Sequence, residues 1–458
     1  MRYGEWFIGI LITLNSNLGI AQSSTTLIVG RAVAGIGAAG IASGIYTIIA
    51  FIAKPNQRPA FTGILGAVYG VSSVVGPLLG GLFTDNLTWR WCFYINLPVG
   101  GASAVIIIIF LQNPKAAAPI KATPKEKMLQ MDILGTFAII VAGICYVLAM
   151  QWGGVTKAWS SPAVLGTLIG FGMTVLAFIM LEWRLGERAI ILFRLLRVRT
   201  IATGTVFAFF LFGAFFNLMY YVPLYFQAVR GVSAAQSGIR NLPLVLGASI
   251  CTIVSGALIT MFGYFMHFLL IGGAMTTISA GLLSTLTVWS NPPQWIGYQA
   301  LAGIGIGLCI QVPMISAQAV VAPSDISSTT AMILCKCSFH PFAFGITLAD
   351  INTVFQTLGG AFIVSAGQSA FANSLLKRLP VTAPGIESYQ VIATGATELR
   401  DKFPIVALPG LLQAYMSGLE IMFAVTIASA GIATLASFFS ERGKLNTLEK
   451  ANIAPLEE

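Results

Sequence analysis

Three stretches carry residue types that could do chemistry. GIGAAG, Gly35 to Gly40, satisfies the G-x-G-x-x-G spacing with which a glycine turn holds a dinucleotide's phosphates. That use also needs a preceding strand and an acidic residue about 20 positions on for the ribose. After Glu5 the next acidic residue is Asp85, so nucleotide binding is not expected. Cys335-Lys336-Cys337 with His340 offers two thiols and an imidazole, donor types that suit zinc. There is no second ligand pair, and His267 is the only other histidine, so no metal is expected. The third is one cation, Arg31, set at the head of a long apolar run. An ionisable group inside a membrane segment is a functional candidate by default. No nucleophile elbow or nucleotide loop accompanies these stretches, and no enzyme chemistry is expected.

The elements that position Arg31 follow from composition. The chain has 458 residues, 56% hydrophobic and 9% charged, whereas soluble domains run near 25% charged. Charge-free apolar runs recur throughout, and a helix needs about 20 such residues to cross a bilayer. The sequence predicts an all-α integral membrane protein with twelve spans, near 6–22, 32–53, 61–84, 91–112, 133–152, 162–181, 201–229, 241–262, 265–289, 295–316, a disturbed one within 328–376, and 417–440. The first is interrupted by Asn15, Ser16 and Asn17 and reads as a weak span rather than a cleaved leader.

Charge sets the orientation. Fifteen Lys and Arg fall in one set of connectors and termini (Arg2, Lys54, Arg58, the cluster from Lys115 to Lys127, the cluster from Arg184 to Arg199, and Arg442, Lys444 and Lys450). Only Arg90, Lys157, Arg230 and Arg240 occupy the short connectors of the other face. The positive-inside rule then places both termini in the cytoplasm. The basic residues form no helix face suited to nucleic acid.

The stretch YGVSSVVGPLLGG, Tyr69 to Gly81, has four glycines, a proline and no charge. In a soluble helix each Gly costs roughly 1 kcal/mol against Ala and Pro about 3. Between membrane helices, small residues at i, i+4 instead allow close approach, which suits Gly66, Gly70, Gly76 and Gly80. Pro77 would kink the end of that helix. A faint repeat adds to this: AGIG occurs at 34–37 and at 302–305, in two spans of the same direction. Parallel repeats are a transporter signature.

GVSSVVGPLLGG resembles the antiporter motif of the major facilitator superfamily, and LIVGRAVAGIGAAG, Leu27 to Gly40, resembles its fourth-helix motif, with Arg31 as the arginine. TDNLTWRWCFYINLPVGG, Thr84 to Gly101, and GVSAAQSGIRNLP, Gly231 to Pro243, are similar to connectors of its fourteen-span drug–proton antiporters, with fungal multidrug and toxin efflux pumps the nearest likeness. The resemblance implies two helical bundles flanking two central helices. Residues 1–112 would form an incomplete N-terminal bundle of four spans. Residues 113–200 would be a cytoplasmic linker with the central pair, 201–440 a C-terminal bundle of six spans interrupted at 335–354, and 441–458 a cytoplasmic tail. It also implies export of a small organic compound, a drug, toxin or secondary metabolite, by a monomer in the plasma membrane, driven by a proton gradient without any cofactor. Arg31 would couple protons, and Gly70, Gly76, Pro77, Gly80 and Gly81 would form the conformational motif. Asn217, Tyr220, Tyr221, Gln227, Gln299 and Gln311 are the candidate lining of the substrate cavity.

Two departures from that family stand out. By this mapping the family's first two helices are missing. Second, about twenty residues, Cys335 to Val354, separate AMIL from FQTLGG and bring Lys336, His340, Pro341 and Asp350 into a span. They are read as an intron translated in frame, since Cys335-Lys336-Cys337 can be encoded with a splice donor and Thr353-Val354 with an acceptor. The alternatives are a non-transporting truncated relative or gene-model artefact, and a nutrient uptake transporter.

Overall fold

In the computed structural model the described residues are 19–53, 57–110, 132–186, 189, 191, 193–320 and 348–441. Residues 6–18 of the span expected at 6–22, parts of the linker and tail, and residues 335–347 of the interruption lie outside them. Eleven long helices organise the described residues: α1 (Ser24–Ile52), α2 (Arg58–Asn86), α3 (Asn96–Phe110), α4 (Ile133–Trp152), α5 (Pro162–Leu185), α6 (Arg199–Leu224), α7 (Leu242–Phe262), α8 (Met266–Ser284), α9 (Pro292–Cys309), α10 (Leu348–Thr382) and α11 (Leu408–Phe438). Seven of them, α4 to α9 and α11, are long and apolar enough to cross a membrane.

The helix boundaries have local causes. Ser23 caps α1 by accepting from Thr26 N at 3.2 Å, and Ser161 caps α5 by accepting from Val164 N at 3.4 Å. Each satisfies an end N–H that has no partner within the helix. The last helix starts at Leu408, nine residues before the expected 417. Pro409 suits a first turn because its missing N–H would be unpaired there anyway. Leu411, Ala414 and Tyr415 of those added turns are buried. The interruption also resolves in part: residues 348–354 are helical and form the first turns of α10.

Helices α6 to α11 form one bundle. In it α6 packs on α10 and α11, α9 lies between α7 and α8, and α8 returns to α11. Its core holds Phe207, Leu211, Leu218, Leu244, Ile259, Leu269 and Phe423. The pair α4 and α5 pack on each other, and α4 packs on α10, while their outward faces expose Leu134, Phe137, Ile169 and Met173. Helices apolar on every side suit lipid contact. Two hydrogen bonds tie the pair to α10: Tyr146 Oη donates to the Phe362 carbonyl at 3.2 Å, and Asn373 Nδ2 donates to the Gly153 carbonyl at 3.0 Å. Rings of Tyr146, Phe171 and Phe362 stack around the first, with centroids 4.4–5.8 Å apart. On the other side of the bundle α2 lies along α7.

Candidate transport site

The glycines of α2 divide into two sets according to what faces them. A Cβ added at Gly70 would collide with the Ser249 hydroxyl, and one at Gly66 with the Thr252 methyl. At Gly81 it would lie 2.7 Å from Ala235 Cα, in the short helix Ala234–Arg240 that precedes α7. At Gly76 and Gly80 it would meet nothing within 4 Å among the described residues. Residue 77 is within the helical run of α2. Gly66 and Gly70 therefore let α2 seat closely against α7, and Gly81 against the short helix before it, so the absence of a side chain is used at those three positions. Between apolar helices in lipid, packing of this kind supplies the attraction that hydrophobic burial supplies in water.

A narrow cleft of about 30 Å³ opens along this seam. Gly66 and Gly70 form one wall; Phe215 and Met219 of α6, Ser249 and Thr252 of α7, and Gln311 contribute to the others. Among the described residues, none that lines the cleft is charged. The two hydroxyls already donate within α7, Ser249 to the Val245 carbonyl and Thr252 to the Ala248 carbonyl, each at 2.7 Å. The Gln311 amide is thus the strongest polar feature of the lining. It lies at a break: α9 ends at Cys309, Ile310 and Gln311 form a turn, and helix resumes over Val312–Val320. Pro313 explains the break, because it lacks an N–H and its ring crowds the carbonyl four residues earlier. Interrupted membrane helices are tolerated where the irregular backbone is covered by protein or lines a cavity.

The other candidate lining residues lie elsewhere. Asn217 is fully buried within the bundle and donates through Nδ2 to Thr426 Oγ1 of α11 at 3.3 Å. Tyr221 is buried against the Phe371 ring of α10, 5.6 Å between centroids. Tyr220, on the opposite face of α6, is 63% exposed. Gln227 sits in a π turn, Tyr225–Val229, that continues α6, and donates to Ser237 Oγ at 2.9 Å, holding the short helix in place. Gln299 of α9 is fully buried. Arg31 is exposed on α1. Ser249, Thr252 and Met219 were not among the sequence candidates. Pro313, two residues after Gln311, is the sequence signal that marks a break in that span.

The Major Facilitator Superfamily profile matches residues 6–340. The chain belongs to that superfamily. As a major facilitator it is a multi-pass membrane protein, with the two-bundle fold that the helices outline. It is 46% identical over 445 residues to an MFS-type transporter of Pestalotiopsis microspora, which covers 96% of this chain and 78% of the relative. It is 44% identical over 428 residues to the MFS-type transporter grgE of a Penicillium species, covering 93% and 72%. An MFS-type efflux pump of Arthroderma benhamiae is 40% identical over 438 residues, covering 94% and 78%. Among solved structures, a bacterial homologue of the human lysosomal transporter Spinster, inward-facing and occupied, superposes with a TM-score of 0.55 at 17% identity. That match covers 96% of this chain and 81% of the other, and it supports the fold alone.

Proposed function

We propose that this major facilitator exports a small, mostly apolar organic compound by alternating access, in exchange for protons. The observation that carries this reading is the glycine seam between α2 and α7 with an uncharged cleft along it. Glycine faces opposed to small hydroxyl side chains form a smooth contact on which one bundle can rock against the other. The cleft then opens to alternate sides around Gln311 and the aromatic ring of Phe215. An uncharged lining favours a neutral cargo, because an ion would surrender its hydration without a partner. Relatives bearing the name efflux pump support the outward direction.

Arg31 is the proposed proton-coupling residue, the family's arginine by resemblance. Proton coupling is bounded by the difference in proton affinity between the two states, since a ligand shifts an equilibrium only by that difference. Both termini are assigned to the cytoplasm from the distribution of Lys and Arg, and the protein to the plasma membrane from the family resemblance.

The test uses sealed inside-out vesicles with an acidic lumen and a neutral fluorescent aromatic probe. Probe accumulation that collapses with a protonophore is expected, and Arg31→Ala should lower the proton-driven component about tenfold while leaving folded protein intact. Gradient-driven movement out of the vesicles would favour the uptake reading. No movement with well-folded protein would favour a non-transporting relative.

A further inference from the structure

Among the described residues three amides inside the bundle, Asn217, Gln299 and Asn241, have a hydrogen-bonding atom without a partner, and the last two lie together. Gln299 of α9 is 0% exposed, and neither its Oε1 nor its Nε2 has a partner. Asn241, just before α7, is 3% exposed, and its Oδ1 has none. The helix register brings the two to one level. A Cβ at Gly303 would meet the Leu244 carbonyl and lie 2.9 Å from Ala248 N, and one at Gly307 would lie 2.8 Å from Cys251 Cβ. Helices α7 and α9 therefore run side by side in the same direction, with Gly303 near position 246. Gln299, one turn earlier, falls beside positions 241 and 242. Asn241 Nδ2 reaches Met219 Sδ at 3.9 Å, and Met219 lines the cleft, so this level adjoins the seam.

Buried polar atoms are nearly always paired, through protein or an ordered water, and leaving them bare costs free energy. We infer that Gln299 and Asn241 form a binding site for one neutral hydroxyl group. The donor set fixes the chemistry. Two amide oxygens accept and one amide nitrogen donates, so a hydroxyl can give its proton to an oxygen and receive one from Gln299 Nε2. An anion would face two oxygens, and a cation would face the N–H pair. The hydroxyl comes from a trapped water or from the cargo; only the second source rests on the export reading. In that case the transported class is a neutral, hydroxylated, largely apolar molecule.

The experiment measures apparent unfolding midpoints of the full chain in lipid nanodiscs. Variants are Gln299→Leu, Asn241→Leu and the double substitution. Asn241 makes no side-chain capping bond to α7, so its replacement removes no cap. A shared hydroxyl predicts that each single change lowers the midpoint by about 3 °C, and that the double change costs less than the sum. Singles that leave the midpoint unchanged or raise it, with an additive double, overturn the site. 7-Hydroxycoumarin and 7-methoxycoumarin then separate the sources. Stabilisation of the wild type by the hydroxyl compound alone, lost in Gln299→Leu, assigns the group to the cargo. Coupled variants without a probe shift assign it to water. Failure of vesicle export with the coupling intact would sink the export reading and leave the site standing.

Discussion

The tetrapeptide AGIG appears twice, and its first glycine is exposed in one copy and packed in the other. In α9 both of its glycines are packed: Gly303 faces the Leu244 carbonyl of α7, and Gly305 faces Thr276 and the Gly272 carbonyl of α8. A side chain at either would strike backbone. In α1 a Cβ at Gly35 would meet nothing within 4 Å. The same contrast recurs inside α2, between Gly66 and Gly70 on the seam and Gly76 and Gly80 off it. A glycine in a membrane helix earns its place only where another helix comes close, and the local sequence does not say where that is.

Three substitutions probe the contrast, from the largest effect to the smallest. Gly303→Leu should abolish the monodisperse, folded protein. Its side chain must displace the backbone of α7, and a loss above about 4 kcal/mol is the expected scale for such a clash; size-exclusion profiles after solubilisation decide it. Gly70→Leu should preserve the fold, because its clash falls first on the Ser249 side chain at the edge of the bundle, but obstruct the seam. Export should fall several-fold for an overpacking penalty of about 1–3 kcal/mol, read as initial rate in vesicles at matched protein. Gly35→Ala should hold or raise stability by up to about 1 kcal/mol, the ordinary helix preference. If its unfolding midpoint drops as far as that of Gly303→Ala, the two copies are equivalent and the contrast fails.

The elements were largely legible because charge-free runs of fixed length leave few alternatives in a bilayer; α4 covers 133–152, the range expected for that span. The early start of α11 was harder to read, since residues 408–416 gain their helical order from burial of Leu411, Ala414 and Tyr415 against neighbours distant in sequence. The site was less legible than the fold. A helix apolar on every side gives no periodic signal of which face meets which neighbour, so Asn217, Tyr220 and Tyr221 look alike in the sequence. In the structure they point to α11, outward, and to α10. Ser249 and Thr252 carry no mark of their own; only the opposing glycines of α2 single them out. Gln311 is distinguished by Pro313, whose effect on the backbone is local.

The length of α10 has a practical consequence. Its 35 residues rise about 52 Å at 1.5 Å each, against a hydrocarbon layer near 30 Å, and a tilt of about 20° absorbs only a few ångströms. Placed across the bilayer, as the family resemblance implies, roughly a third of the helix would stand in the aqueous or headgroup layers. Lys377 and Arg378, both exposed near its end, suit that setting. A helical fusion continued in phase from that end would be rigidly oriented with the bundle. It would give a protein with little mass outside the bilayer an alignment mark for electron microscopy.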